Sequence, residues 1–151
     1  MEIVLNEWLL HYSKYDAEKE KKELVYRFIT CIKKKDIKII INWECPFIKK
    51  FQLFWDASKQ DQVSCALFKT LYYLMLNSEK VKYTEFDDIR TIPKEIVDLC
   101  PDDDLYLIQL AYHSQERIII TKDIRIIEKF KERAEIKFLT PEDFLERYSG
   151  S

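Results

Sequence analysis

Two groups of acids stand where the chain could do chemistry. Asp102, Asp103 and Asp104 follow Pro101, and Asp123 comes right after an apolar run that ends Ile118-Ile119-Ile120-Thr121-Lys122. Carboxylates brought within a few ångströms repel and raise each other's pKa unless a cation sits between them. Hard oxygen ligands of that kind select Mg²⁺ or Mn²⁺. Such an ion polarises a phosphodiester and helps to make hydroxide from bound water. The chemistry thus depends on what brings residues 101–104 next to 121–123.

The elements around these acids are readable. Proline followed by acids marks a helix start, because carboxylates complement the exposed amides and the positive end of the dipole. Leu105, Ile108 and Tyr112 then recur at helical spacing. The run 117–121 is β-branched without polar alternation, which predicts a strand buried on both faces of a parallel sheet. Lys122-Asp123 falls just past its carboxyl end, where open α/β sheets bind ligands. Read on these terms alone, Asp104 is also a helix-capping acid and Asp123 a turn acid.

Similar units precede and follow. Residues 2–5 and 38–41 predict strands, and 81–84 and 136–139 two shorter ones. Helices are expected over 16–35 (capped near Asp16), 47–55, 63–76, 93–99, 126–130 and 141–148, the last started by Thr140. The prediction is a three-layer α/β/α sandwich with a central, mostly parallel sheet of four or five strands. At 151 residues it makes one domain, 1–149, with 150–151 as terminal residues without a role.

Composition bounds the function. Formal net charge is −2, so no global basic field attracts nucleic acid, and local patches would have to. The lysines at 19–22 and 33–35 read as a solvated face or a backbone-binding patch. The only glycine is Gly150, which excludes P-loop and dinucleotide fingerprints. The four cysteines, Cys31, Cys45, Cys65 and Cys100, show no paired zinc spacing and read as free thiols in a reducing cytosol. No apolar run spans a membrane, and residues 1–5 lack a secretion signal, so a cytoplasmic location is expected.

An aspartate opening a helix (Asp104), an alanine seven positions on (Ala111) and a buried strand closing on Thr121-Lys122-Asp123 together resemble the C-terminal half of a PIN domain. The stretch Leu139-Thr140-Pro141-Glu142-Asp143-Phe144-Leu145 resembles that family's closing strand and helix. The match covers residues 101–145 and extends only loosely over the first hundred. The resemblance implies a Mg²⁺- or Mn²⁺-dependent endoribonuclease acting on single-stranded RNA, in a toxin or defence setting, with four acids at the carboxyl edge of a parallel sheet. Asp104 and Asp123 would be the metal ligands, with Asp103 the fallback for Asp104 and Thr121 orienting a carboxylate or water. The family's first acid corresponds to Asn6, which offers an amide oxygen to a metal or caps the first helix, and Glu7 beside it is a substitute. Its second acid belongs on the helix after the second strand. There Glu44 comes about a turn early and serves either as a site acid or as a helix N-terminal charge. Positions 48–50 hold Ile48, Lys49 and Lys50 instead.

Neither His11 nor His113 has a partner in the pattern. The alternative to a nuclease is a catalytically silent PIN-like module for RNA or protein binding. Its partner, or a second copy in a homodimer, would meet the aromatic helix over 67–76, with Leu67 and Leu76 at its ends and Tyr72 and Tyr73 on it.

Overall fold

The computed structural model describes residues 1–148; residues 149–151, including the pair 150–151, lie outside them. Five strands, β1 (Glu2–Leu5), β2 (Lys38–Ile41), β3 (Val81–Tyr83), β4 (Ile118–Ile120) and β5 (Lys137–Leu139), form one sheet in the order β3-β2-β1-β4-β5. Every pairing is parallel, with Leu5 opposite Ile120 and Ile3 opposite Ile39. The helices are α1 (Trp8–Ser13), α2 (Lys19–Lys34), α3 (Pro46–Ala57), α4 (Gln62–Met75), α5 (Lys94–Leu99), α6 (Leu105–Ala111), α7 (Ile124–Phe130) and α8 (Pro141–Tyr148).

The isoleucine runs explain the layering. Successive side chains of a strand point to opposite faces, so a strand buried on both must be apolar throughout. Ile3, Leu5, Ile39, Ile41, Ile118 and Ile120 join a core packed by α1 to α4 and α8. Val4, Ile40, Ile119 and Phe138 join a second core with Ile96, Leu107, Ile108, Ile126 and Phe130 from α5, α6 and α7. This is the three-layer α/β/α arrangement expected, with the sheet five-stranded and wholly parallel.

Several boundaries shift by a residue or two, and three of the shifts have a local cause. The helix read from Pro101 starts later: Asp102–Asp104 make a 3₁₀ turn, closed by Asp104 N–H to the Pro101 carbonyl at 3.0 Å, and α6 begins at Leu105. The helix read from Asp16 begins at Lys19, after extended Glu18, because the chain first turns at 14–17. The strand read from Arg117 begins at Ile118, since Arg117 takes a left-handed φ of 52°. With no glycine nearby, the arginine is held there by its N–H to Ser114 Oγ (2.9 Å) and by its guanidinium over the Tyr112 ring (4.0 Å). Thr140 does start α8, its Oγ1 accepting from Asp143 N–H at 3.0 Å.

The strand order fixes where a ligand can go. From β1 the chain moves outward to β2 and β3, then crosses back to β4 on the other side of β1. The crevice of such a sheet opens at this switch point, above the carboxyl ends of β1 and β4.

Candidate functional site at the carboxyl edge

Asn6 and Thr121 meet at that switch point. Asn6 N–H continues the ladder to the Ile120 carbonyl at 3.1 Å, and its side-chain Nδ2 donates to Thr121 Oγ1 at 3.0 Å. The same Thr121 oxygen accepts Asp123 N–H at 3.1 Å, and Thr121 is fully buried. Asn6 Oδ1 accepts Glu7 N–H at 2.7 Å and, more loosely, the Tyr106 hydroxyl at 3.5 Å. Trp8 closes the floor through its indole N–H to the Ile120 carbonyl at 3.0 Å. Asn6 therefore does not cap α1 through its side chain; it bonds to the residue immediately after it and to the neighbouring strand end.

A cleft of about 530 Å³ opens here, lined by Asn6, Glu7, Trp8, His11, Pro46, Lys50, Asp103 and Asp104. Glu7 lines it together with Asn6: it is the N-cap of α1, with its carbonyl accepting from Leu10 and His11 N–H and its side chain turned to the cleft. Lys50, one turn into α3, reaches across and donates to Glu7 Oε2 at 2.6 Å; His11 Nε2 lies 3.7 Å from the same oxygen. Burial, with help from the Lys14 ammonium, holds His11 below its ordinary 6.5, so it is neutral at pH 7.

Asp104 carries the electrostatic strain of the site. Half-burial raises its pKa first, and the carboxylates of Asp123, Asp103 and Glu7 add to it. The burial of Cys100, with Asp104 close by, pushes that thiol up to about 12, so it stays protonated. Burial likewise raises the Tyr106 hydroxyl, and the charge of Glu7 contributes.

The other expected residues are placed as follows. Asp123 is near enough to act on Asp104, but its Oδ1 caps α7 by accepting Arg125 N–H at 3.0 Å, and it does not line the cleft. Glu44 is exposed on the turn after β2, its N–H bound to Asn42 Oδ1 at 2.7 Å, and it is not part of the cleft wall. Tyr72, Tyr73 and Leu76 are exposed on the outer face of α4, while Leu67, Phe68, Leu71 and Leu74 are buried in the core. His113 has neighbours after all: Thr84 Oγ1 lies 3.3 Å from Nδ1 at hydrogen-bond geometry, and Asp87 Oδ1 lies 3.0 Å from Nε2 as a close charge contact without it. They tie the loop after β3 to the end of α6. The four cysteines are free thiols.

Lys50, Trp8 and Tyr106 are site residues that the pattern of acids did not indicate. For Lys50 the signal was present with the opposite sign, since 48–50 is the stretch where an acid was sought. Trp8 and Tyr106 lie inside apolar helical patterns and look like any core aromatic.

A divalent ion needs a set of free oxygen donors, at about 2.0–2.1 Å for Mg²⁺. The donors here do not fit one. Glu7 is taken by Lys50, the Asn6 oxygen by Glu7 N–H, and the Thr121 oxygen by two donors. Asp104 and exposed Asp103 are the carboxylates left on the cleft wall. Among the described residues, no group of three or more His, Cys, Asp or Glu is placed to hold a metal.

Fold and site thus define a class: a parallel α/β domain whose switch-point cleft carries an asparagine and a lysine–glutamate pair beside a strained aspartate. No family model matches the chain, and neither does any curated protein or solved structure. Among the described residues, no helix is long and apolar enough to cross a membrane.

Proposed function

We propose that this chain is a PIN-like module whose carboxyl-edge cleft has lost metal-dependent hydrolysis, and which works by binding an RNA or protein partner. The observation that carries the reading is the 2.6 Å pair between Lys50 Nζ and Glu7 Oε2. A fixed ammonium occupies the part of the cleft where the family resemblance calls for an acid, and Asn6 removes a second negative charge. Both changes lower the cleft's demand for an exchangeable cation, as opposite charge within a few ångströms stabilises a carboxylate without a metal.

A second reading, metal-dependent cleavage of single-stranded RNA, is favoured by Asp104. Its carboxyl is raised by burial and by Asp123, Asp103 and Glu7, the condition a divalent ion would relieve. One experiment separates the two. Thermal unfolding with and without Mn²⁺, and cleavage of a labelled single-stranded RNA, are measured for the wild type, Asp104→Asn, Asp123→Asn and the double variant Asn6→Asp/Lys50→Glu. The binding-module reading expects no metal-dependent stabilisation or cleavage in the wild type. It expects a gain only in the double variant, about 2.7 kcal/mol at a free Mn²⁺ concentration a hundred times the dissociation constant. Wild-type cleavage that needs Mn²⁺ or Mg²⁺ and vanishes in Asp104→Asn and Asp123→Asn overturns it.

A further inference from the structure

In the helical layer that also holds α1 and α3, α2 and α4 leave a groove of about 970 Å³ between them. Its apolar wall consists of Tyr26 from α2 and of Val63, Ala66 and Leu67 from α4, with Tyr26 65% and Val63 58% exposed. Thr30 and Thr70 continue the walls, and each hydroxyl is bound back to its own helix, to the carbonyls of Tyr26 (2.8 Å) and Ala66 (2.9 Å). Neither threonine therefore brings an unpaired hydroxyl to the groove. Exposed large apolar side chains gathered along one groove, rather than scattered, mark an interaction site.

The charge around it is one-sided. Lys19, Lys22, Arg27, Lys33 and Lys34 line this groove and its continuation between α2 and α4, against two acids, Glu23 and Asp61. Both acids are already paired: Glu23 with Lys19 at 4.0 Å and Asp61 with Lys22 at 3.2 Å. Asp61 also caps α4 by accepting Ser64 N–H. Arg27, Lys33 and Lys34 have no ion pair among the described residues. A locally cationic rim on a chain of net charge −2 favours an anionic partner.

We propose that this groove receives an acidic amphipathic helix of a protein partner. An apolar wall between two helices accepts the apolar stripe of a third, and the rim cations pair with carboxylates flanking that stripe. The α4 wall runs from Val63 to Thr70, about 10 Å at about 1.5 Å per residue, enough for about two turns of a docked helix. A single-stranded nucleic acid is the poorer fit. It needs several stacking platforms along the groove, and Tyr26 is the one aromatic on the walls of the main groove. The inference goes beyond the reading of the carboxyl-edge cleft and holds whether or not that cleft cleaves RNA.

The test uses the full chain and three probes in fluorescence polarisation. They are a labelled helical peptide with leucines at i, i+3, i+4 and i+7 and glutamates elsewhere, the same peptide with lysines for glutamates, and a labelled oligouridylate. The glutamate peptide is expected to bind, more weakly as salt rises, and the lysine peptide not to bind. Ala66→Arg, which fills the wall, and Lys33→Glu/Lys34→Glu, which reverses the rim, should each weaken binding at least tenfold while circular dichroism stays unchanged. Failure of the glutamate peptide to bind, or binding indifferent to these variants, overturns the proposal. So does oligouridylate binding that the same variants abolish in place of peptide binding. Concentration-dependent dimerisation abolished by Ala66→Arg would assign the groove to a second copy and overturn it as well.

Discussion

Breaking the Lys50–Glu7 pair should cost stability, because each side chain leaves the other in a half-buried acidic cleft. At 2.6 Å the bare Coulomb energy lies between roughly 1.6 kcal/mol in bulk water and roughly 6 kcal/mol at an effective dielectric of about 20. Solvent reaches both partners, with 43% of the Lys50 side chain and 20% of that of Glu7 exposed, and fixing a lysine costs up to about 2 kcal/mol of rotamer entropy. A coupling of about 1–2 kcal/mol is what remains, above the range of fully exposed pairs. It is measured as a double-mutant cycle of Lys50→Met, Glu7→Gln and the double variant in urea unfolding at pH 7, low and high salt. Lys50→Met should be the more damaging single change, since it strands a carboxylate beside Asp104, whereas Glu7→Gln leaves an ammonium that water can reach. For a domain of this size the loss corresponds to a fall of about 2–8 °C in Tm. A coupling below about 0.3 kcal/mol, or a Glu7→Gln variant less stable than Lys50→Met, would refute the claim that Lys50 neutralises this cleft.

Two further predictions address the same frame. Asp104 has a folded pKa above its ordinary 3.8, so ionising it works against folding; that penalty is absent below the unfolded value, builds as pH rises from the unfolded to the folded one, and is complete above it. Asp104→Asn should therefore be more stable than the wild type in urea unfolding at pH 7, with the difference vanishing toward pH 3; a variant less stable at pH 7 contradicts it. Phe144 is fully buried on α8, with its ring 5.4 Å from that of Phe28 and 4.9 Å from that of Tyr148. Phe144→Ala should lower unfolding free energy by about 3–5 kcal/mol, and a loss under about 1 kcal/mol would mean that α8 does not close the layer it covers.

Much of the fold was legible because the sheet is buried on both sides. Ile39 to Ile41 and Ile118 to Ile120 have no polar alternation, which leaves a two-sided parallel sheet as the economical explanation. The same property, with the polar residues directly after each run, leads to the expectation that strands ending at Leu5 and Thr121 are parallel neighbours; they are, with the second ending one residue earlier, at Ile120 opposite Leu5. The order of the outer strands was not legible, because β3 and β5 have three residues each and their pairing depends on how the long helical connections run. Helix starts were misread where local turns outcompete the helix. Asp102 to Asp104 favour a tight turn after a proline, and the 14–17 turn delays α2, although both segments have the charges of a helix terminus. Arg117 in a left-handed conformation leaves no trace in hydrophobic pattern, as its supports, Ser114 and Tyr112, act through contacts that close only in the fold.

The site was legible by position more than by composition. Asp104 is singled out at a helix start, and Asn6 and Thr121 through what the family resemblance implies at two strand ends; the fold brings them together because a parallel sheet delivers its strand termini to one edge. The identity of the compensating charge was hidden, since it comes from α3, whose rotation about its axis is set by Phe47 and Phe51 packing inward. Lys50 sits beside Phe51 on the flank of that apolar stripe, so burying the two phenylalanines carries its ammonium to Glu7. The compensation is local. Lys50 meets Glu7, while burial and three carboxylates raise Asp104, with no cation bonded to it among the described residues. A cleft that held a divalent ion would relieve both acids together. A tethered lysine satisfies Glu7 alone, so Asp104 is the acid on which the response to Mn²⁺ turns.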